Sequence, residues 1–144
     1  NINLKQALKE LMDSLTKYTN EYGFVFHEAF LRELSDLLKD VKGHEGELFK
    51  ILNKQLAFLV SLKTRVNDAD SNEILKYKSE QLYYSLHLKS KNFNIRFIIT
   101  FYDNTTPVFL VAFYEREGKR ATDYSQYEVP AKERYGDYLK EALQ

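Results

Sequence analysis

The chain has 144 residues, 44% of them hydrophobic and 15% aromatic, enough apolar material for one core and too short for two large domains. Its 21 Lys and Arg cancel its 21 Asp and Glu, which excludes a molecule-wide attraction to nucleic acid or anionic membrane and leaves only local basic sites. With no cysteine, disulfide frameworks, thiolate metal centres and cysteine nucleophiles are excluded as well.

The longest apolar runs, Leu56 to Val60 and Val108 to Tyr114, fall far short of the roughly 18 to 20 residues that cross a bilayer. The chain is charged from Lys5 onward with no signal-peptide core, and we expect a soluble cytoplasmic protein without membrane contact. It begins with Asn1, as expected of a trimmed N-terminus. Five Gly and two Pro leave no low-complexity linker, so a single domain is expected over residues 1–144.

Leu4, Ala7, Leu8, Leu11, Met12, Leu15 and Tyr18 recur at helical spacing, with Asn3 and Gln6 placed as an N-cap and its reciprocal partner. The helix they predict covers the first 18 to 20 residues, and its apolar stripe demands burial on the same core, on an extended surface or in a second subunit. Phe24-Val25-Phe26 follows as a brief strand. Phe30 to Val41 keeps the i, i+3, i+4 rhythm of a second helix, and Gly43-His44-Glu45-Gly46 supplies a turn. A third helix is expected from Glu47 to about Leu62, with apolar positions on more than one stripe and hence the most buried helix, followed by a loop at Asn67 to Asn72.

From Leu82 the period changes to two. Leu82, Tyr84, Leu86 and Leu88 share one face of a strand, with Tyr83, Ser85, His87 and Lys89 on the other. After a turn at Ser90-Lys91-Asn92, Phe93, Ile95, Phe97, Ile99 and Phe101 form the core side of a second strand, opposite Asn94, Arg96, Ile98, Thr100 and Tyr102. A hairpin at Asp103 to Thr106 leads to a third strand, apolar on both faces from Val108 to Phe113, as expected of the centre of the sheet or of a strand covered on both sides. Asp123-Tyr124-Ser125-Gln126 has capping-box spacing for a last helix, which Pro130 is expected to kink or restart. The sum is an α+β domain in which a short strand and a three-stranded antiparallel meander pack against a helical hairpin.

Residues 74 to 122 carry eight Lys and Arg against four Asp and Glu, about +4, matched by about −4 elsewhere. Cations beside aromatics on an open sheet suit a phosphodiester, because they neutralise phosphate while Tyr or Phe stacks on splayed bases; a solvated hairpin face is the plainer alternative. Tyr83, Tyr102 and Tyr114 are the candidates for exposed stacking. Arg96 sits mid-strand among apolar neighbours, where a guanidinium requires either a structural ion pair or an anion. His27 and His44 read as surface residues, no His or carboxylate spacing suggests a metal, and no GxGxxG, Walker A or GxSxG occurs, so no cofactor is expected.

These blocks, in this order, resemble the RelE/ParE/HigB superfamily of type II toxins: Leu82-Tyr83-Tyr84-Ser85-Leu86-His87-Leu88-Lys89, Asn94-Ile95-Arg96-Phe97, Val108 to Phe113 with its trailing Arg116, Lys119, Arg120 and Tyr124, and the terminal Ala131, Arg134 and Tyr138. The resemblance spans roughly Phe24 to Leu139, so residues 23–141 would be the RelE-like domain and residues 1–20 an additional helix. It implies a RelE-like sheet and a metal-independent endoribonuclease that cuts messenger RNA on the ribosome. By position, Arg96 resembles the arginine that holds the scissile phosphate, Arg116 and Arg120 those that stabilise the transition state and leaving side, and Tyr124 the late tyrosine, with Tyr127 as its substitute.

Two strand positions that are often lysines in the ribosome-dependent members are here Ser85 and His87. Histidine, with an ordinary pKa of about 6.5, is competent to take the 2′-OH proton, so His87 is the candidate general base. Lys89, Lys91, Lys119, Tyr83 and Ser85 are the candidate RNA contacts. The resemblance further implies an antitoxin partner of the helix-turn-helix type and no direct DNA binding by this chain. Two alternatives accompany it: a gyrase inhibitor of the ParE kind, and a catalytically silent RelE-fold module that binds a protein partner.

Overall fold

Asn3 opens the first helix by accepting a hydrogen bond from the Gln6 amide at 2.9 Å, satisfying one of the free donors of the first turn. Helix α1 runs Leu4–Tyr22, a turn beyond the expected end, and stops at Gly23, whose φ of 73° lets its N–H turn back to the Thr19 and Tyr18 carbonyls. In this computed structural model, residues 3–62, 74–76, 81–117 and 123–144 are described. Ala7, Leu11 and Leu15 of α1 are buried and belong to the main core. The stripe is therefore buried within the domain itself.

Strand β1, Val25–Phe26, leads directly into α2, Glu28–Leu37. A 3-10 turn over Leu38–Val41 and a left-handed Gly43 at φ 87° connect it to α3, Glu45–Leu62. That helix starts two residues early because the Glu45 carboxylate reaches back to the Gly43 amide at 2.8 Å. Helix α3 is the most buried helix, as expected, with six buried residues against three in α1 and three in α2. Leu48, Leu52, Leu56, Leu59 and Leu62 form one buried stripe, while Phe58 is 44% exposed.

The sheet has five strands in the order β1-β5-β4-β3-β2, where β2 is Ile74–Lys76, β3 is Leu82–Ser90, β4 is Phe93–Tyr102 and β5 is Thr106–Tyr114. It is mixed, not antiparallel as expected, because β1 runs parallel to β5 with Val25 opposite Val108. No tight hairpin constrains that pair, since the chain makes the whole excursion from α2 to β4 between them. Strand β2, absent from the sequence reading, pairs antiparallel with β3, Ile74 opposite Tyr84. The loop read at Asn67 to Asn72 lies outside the described residues.

The period-two reading of β4 holds: Phe93, Ile95, Phe97, Ile99 and Phe101 join α1, α2 and α3 in one core, and Ile98 belongs to a second. The second core covers the other face of the sheet. Helix α4, Glu128–Ala142, covers the opposite face, setting Ala131 and Tyr135 among Tyr83, Ile98, Val108, Leu110, Val111 and Phe113. Coverage on both sides explains why β5 is apolar throughout. Pro130 is the third residue of α4, where no intrahelical N–H is needed, and the α-helix begins at Glu128, ahead of it. Asp123 starts the approach by accepting from the Ser125 amide at 2.9 Å, and a 3-10 turn over Tyr124–Tyr127 runs straight into the helix.

Strand β5 carries a bulge. Ile98 pairs with Val111 and Ile99 with Phe109, so Leu110 is an extra residue without a partner in the ladder. Before it Phe109 faces the α1–α3 core, and after it Val111 and Phe113 face α4. Among the described residues no helix is long and apolar enough to cross a membrane.

Candidate functional site

The cross-strand register sets His87 of β3 beside Arg96 of β4, and Arg96 beside Phe113 of β5. Two residues past Phe113 on the same face comes Glu115, its backbone N–H tied to the Asn94 carbonyl at 2.8 Å. Polar side chains from three strands therefore meet at this end of the sheet.

Glu115 is the hub. Its Oε2 accepts from Arg96 Nε at 3.0 Å and lies 3.4 Å from His87 Nε2, while its Oε1 accepts from the Tyr124 hydroxyl. Arg96 Nη1 also donates to Ser85 Oγ at 3.2 Å. His87 Nε2 meets Asn94 Oδ1, and Asn94 Nδ2 donates to Glu117 Oε1 at 3.2 Å, the same oxygen that takes Lys89 Nζ at 3.1 Å. Arg96, Glu115 and His87 side chains are 16%, 17% and 25% exposed, half-buried but reachable from solvent.

Burial pushes the Glu115 carboxyl up, but hydrogen bonds from Tyr124 and Arg96, with the charges of Arg96 and His87, outweigh it and hold the group below the ordinary carboxylate range. Glu115 is thus an anion at neutral pH. The nitrogen of His87 that faces Glu115 and Asn94 sees two acceptor oxygens and carries the proton in the neutral ring. Its Nδ1 has no hydrogen-bond partner among the described residues. The arrangement is an acid-oriented imidazole, able to accept a proton at Nδ1 and to hold the resulting imidazolium against a carboxylate. Beside it, Lys89, Lys91, Asn94, Arg116 and Glu117 line an open cleft of about 570 Å³.

The structure brings together His87, Arg96 and Tyr124 of the sequence-derived set, joined through Glu115. Of its two readings, Arg96 shows an ion pair, with Glu115. Arg116 is exposed on the cleft one residue after Glu115, and its charge acts on the hydroxyl of Tyr127. That hydroxyl is raised first by burial and then by Glu33, with Arg116 opposing, and the ring lies stacked on Phe113 at 3.9 Å. Lys91 is exposed in the β3–β4 turn. Lys119 and Arg120 lie outside the described residues.

Two candidate RNA contacts require correction. Tyr83 is 3% exposed and packs edge-on against Tyr135 under α4, so it offers no open ring for stacking. Ser85 is 2% exposed with its hydroxyl on Arg96, a support for that guanidinium. Tyr114 is the exposed member of the tyrosine trio at 37%; Tyr102 is half-buried against Tyr138. His27, read as a surface residue, instead caps α2, its Nδ1 accepting from the Ala29 amide at 3.0 Å and its Nε2 paired with Asp137 at 3.2 Å. His44 is at the surface, 3.9 Å from Glu47.

Glu115, Asn94 and Glu117 were missed. Glu115 is one of the four acidic residues of the 74 to 122 stretch, and strict alternation from Phe109 would put it on the hairpin side. The bulge at Leu110 reverses that parity. No protein-family model, curated protein or solved structure matches the chain.

Proposed function

We propose that the protein is a metal-independent endoribonuclease and the toxin of a toxin-antitoxin pair, similar to RelE-like enzymes that cut messenger RNA on the ribosome. The observation that carries the reading is the His87–Glu115 pair, with Arg96 and Tyr124 on the same carboxylate and, alongside, a cleft whose lining includes Lys89, Lys91 and Arg116 with Glu115 and Glu117.

His87 Nδ1 takes the proton of a ribose 2′-OH as the 2′-oxygen attacks phosphorus. The bond from phosphorus to the 5′-oxygen breaks, and the proton passes from His87 to that leaving oxygen. Products are a 2′,3′-cyclic phosphate and a 5′-hydroxyl. Glu115 keeps the ring oriented and stabilises the imidazolium, a role worth about 10²- to 10⁴-fold together with the base itself. Arg96 neutralises Glu115 so that the phosphate does not meet a bare anion, and Arg116, Lys89 and Lys91 supply positive charge from the cleft. This assigns Arg96 to the support of Glu115 in place of direct phosphate binding. An antitoxin would silence the enzyme by covering this cleft.

The test is incubation of ribosome-bound messenger RNA with the purified chain in EDTA, with the ends of any fragments identified chemically. Cleavage to cyclic phosphate and 5′-hydroxyl ends, lost in His87→Gln and reduced at least 10²-fold in Glu115→Gln, is the expected result. Intact RNA with and without ribosomes overturns it. One observation favours a second reading, the catalytically silent module: Arg96 is held by both Glu115 and Ser85, as in a purely structural network. Intact RNA together with growth arrest relieved by a cognate partner would select it.

A further inference from the structure

His87 meets a second group, Asn94, besides Glu115. Asn94 is only 8% exposed, and its amide is oriented without ambiguity: the Glu117 carboxylate can only accept, so the nitrogen faces Glu117 and the oxygen faces His87. Lys89 holds the same Glu117 oxygen. The pair Lys89 and Glu117 is 52% and 68% exposed and adds little to stability, but it selects one of the two amide orientations.

Glu115 alone does not decide which ring nitrogen of His87 is protonated, since a flipped ring could present Nδ1–H to the same carboxylate. A second acceptor beside Nε2 removes that freedom. We infer that Asn94, oriented by Glu117, is a positioning residue that locks His87 in the Nε2-protonated tautomer and keeps Nδ1 as its accepting nitrogen. The catalytic part of this inference rests on the nuclease reading; the tautomer lock does not.

The experiment is ¹⁵N-resolved imidazole NMR on wild type, Asn94→Leu and Glu117→Leu, read at a pH where the spectrum itself shows the singly protonated ring, beside RNA cleavage by the same three proteins. The surface substitution at Glu117 guards against a folding defect at the buried Asn94. The wild type is expected to show a single Nε2–H tautomer for His87. Asn94→Leu should show a mixture and a kcat lower by about 10- to 100-fold at unchanged KM, and Glu117→Leu the same change in smaller measure. A single Nε2–H tautomer retained in Asn94→Leu overturns the inference, even if cleavage falls. A wild type with the expected tautomer that leaves RNA intact overturns the nuclease reading alone.

Discussion

Arg134 of α4 grips Glu33 of α2 around the edge of the sheet, Nη1 to Oε1 at 2.7 Å and Nη2 to Oε2 at 3.0 Å. The two helices lie on opposite faces, and the pair meets where β1 has ended and β5 runs on. Leu110, the bulged residue, turns its carbonyl out of the ladder, and Arg134 donates to it at 2.7 Å; Glu33 accepts the Ala112 amide at 3.1 Å. The ion pair takes the place of the missing strand, satisfying backbone groups that an open edge would leave bare.

Arg134→Met therefore removes a donor to Leu110 as well as the partner of a half-buried carboxylate. Urea unfolding should show a loss of roughly 2 to 3 kcal/mol, with Glu33→Gln costing less because a neutral acceptor remains. A double-mutant cycle should give coupling of about 1 kcal/mol or more, and additive losses would show that the two side chains do not act together.

Glu115 makes stability depend on acid. Its folded pKa lies below the ordinary value of 4.5, so its contribution is complete above that value and disappears as pH falls through the folded pKa. Glu115→Gln should cost roughly 1 to 3 kcal/mol at pH 7, with Arg96 left facing a neutral amide. The gap between the two unfolding curves should close on acidification below about pH 4.5. A gap that stays constant with pH would refute the linkage.

Helix α1 is part of the core and not an appendage. Leu11 is fully buried, so Leu11→Ala should cost about 2 to 5 kcal/mol, whereas Leu4→Ala, at a position 42% exposed, should stay within about 0.5 kcal/mol. Equal thermal shifts for the two would place the helix off the core.

Two glycines should respond with opposite sign. At Gly23, φ 73° strains any Cβ although the space is open, and Gly23→Ala should destabilise by about 1 kcal/mol. Gly136 lies inside α4 with nothing within 4 Å of an added Cβ, and Gly136→Ala should stabilise by roughly 0.5 to 1 kcal/mol. Chemical denaturation of both variants checks the pair.

Much of the architecture was legible in residue patterns. Helical spacing located α1, α2 and α3, period-two alternation placed Phe93 to Phe101 on one face of β4, and Asp103 and Asn104, with φ of 53° and 58°, form the tight turn that their residue types favour. The isolation of Arg96 among apolar neighbours signalled that it needs a partner. These features follow from local sterics and from the separation of apolar and polar side chains, both of which act over a few residues.

Which partner Arg96 meets was decided elsewhere. One extra residue in β5 reverses the faces beyond it, turns Glu115 toward His87 and Arg96, and turns the Leu110 carbonyl toward Arg134. A bulge has no signature in a strand that is apolar on both sides, because every register there buries the same kind of surface. Packing of α2 and α4 on opposite faces selected it, and with it the carboxylate at the centre of the site.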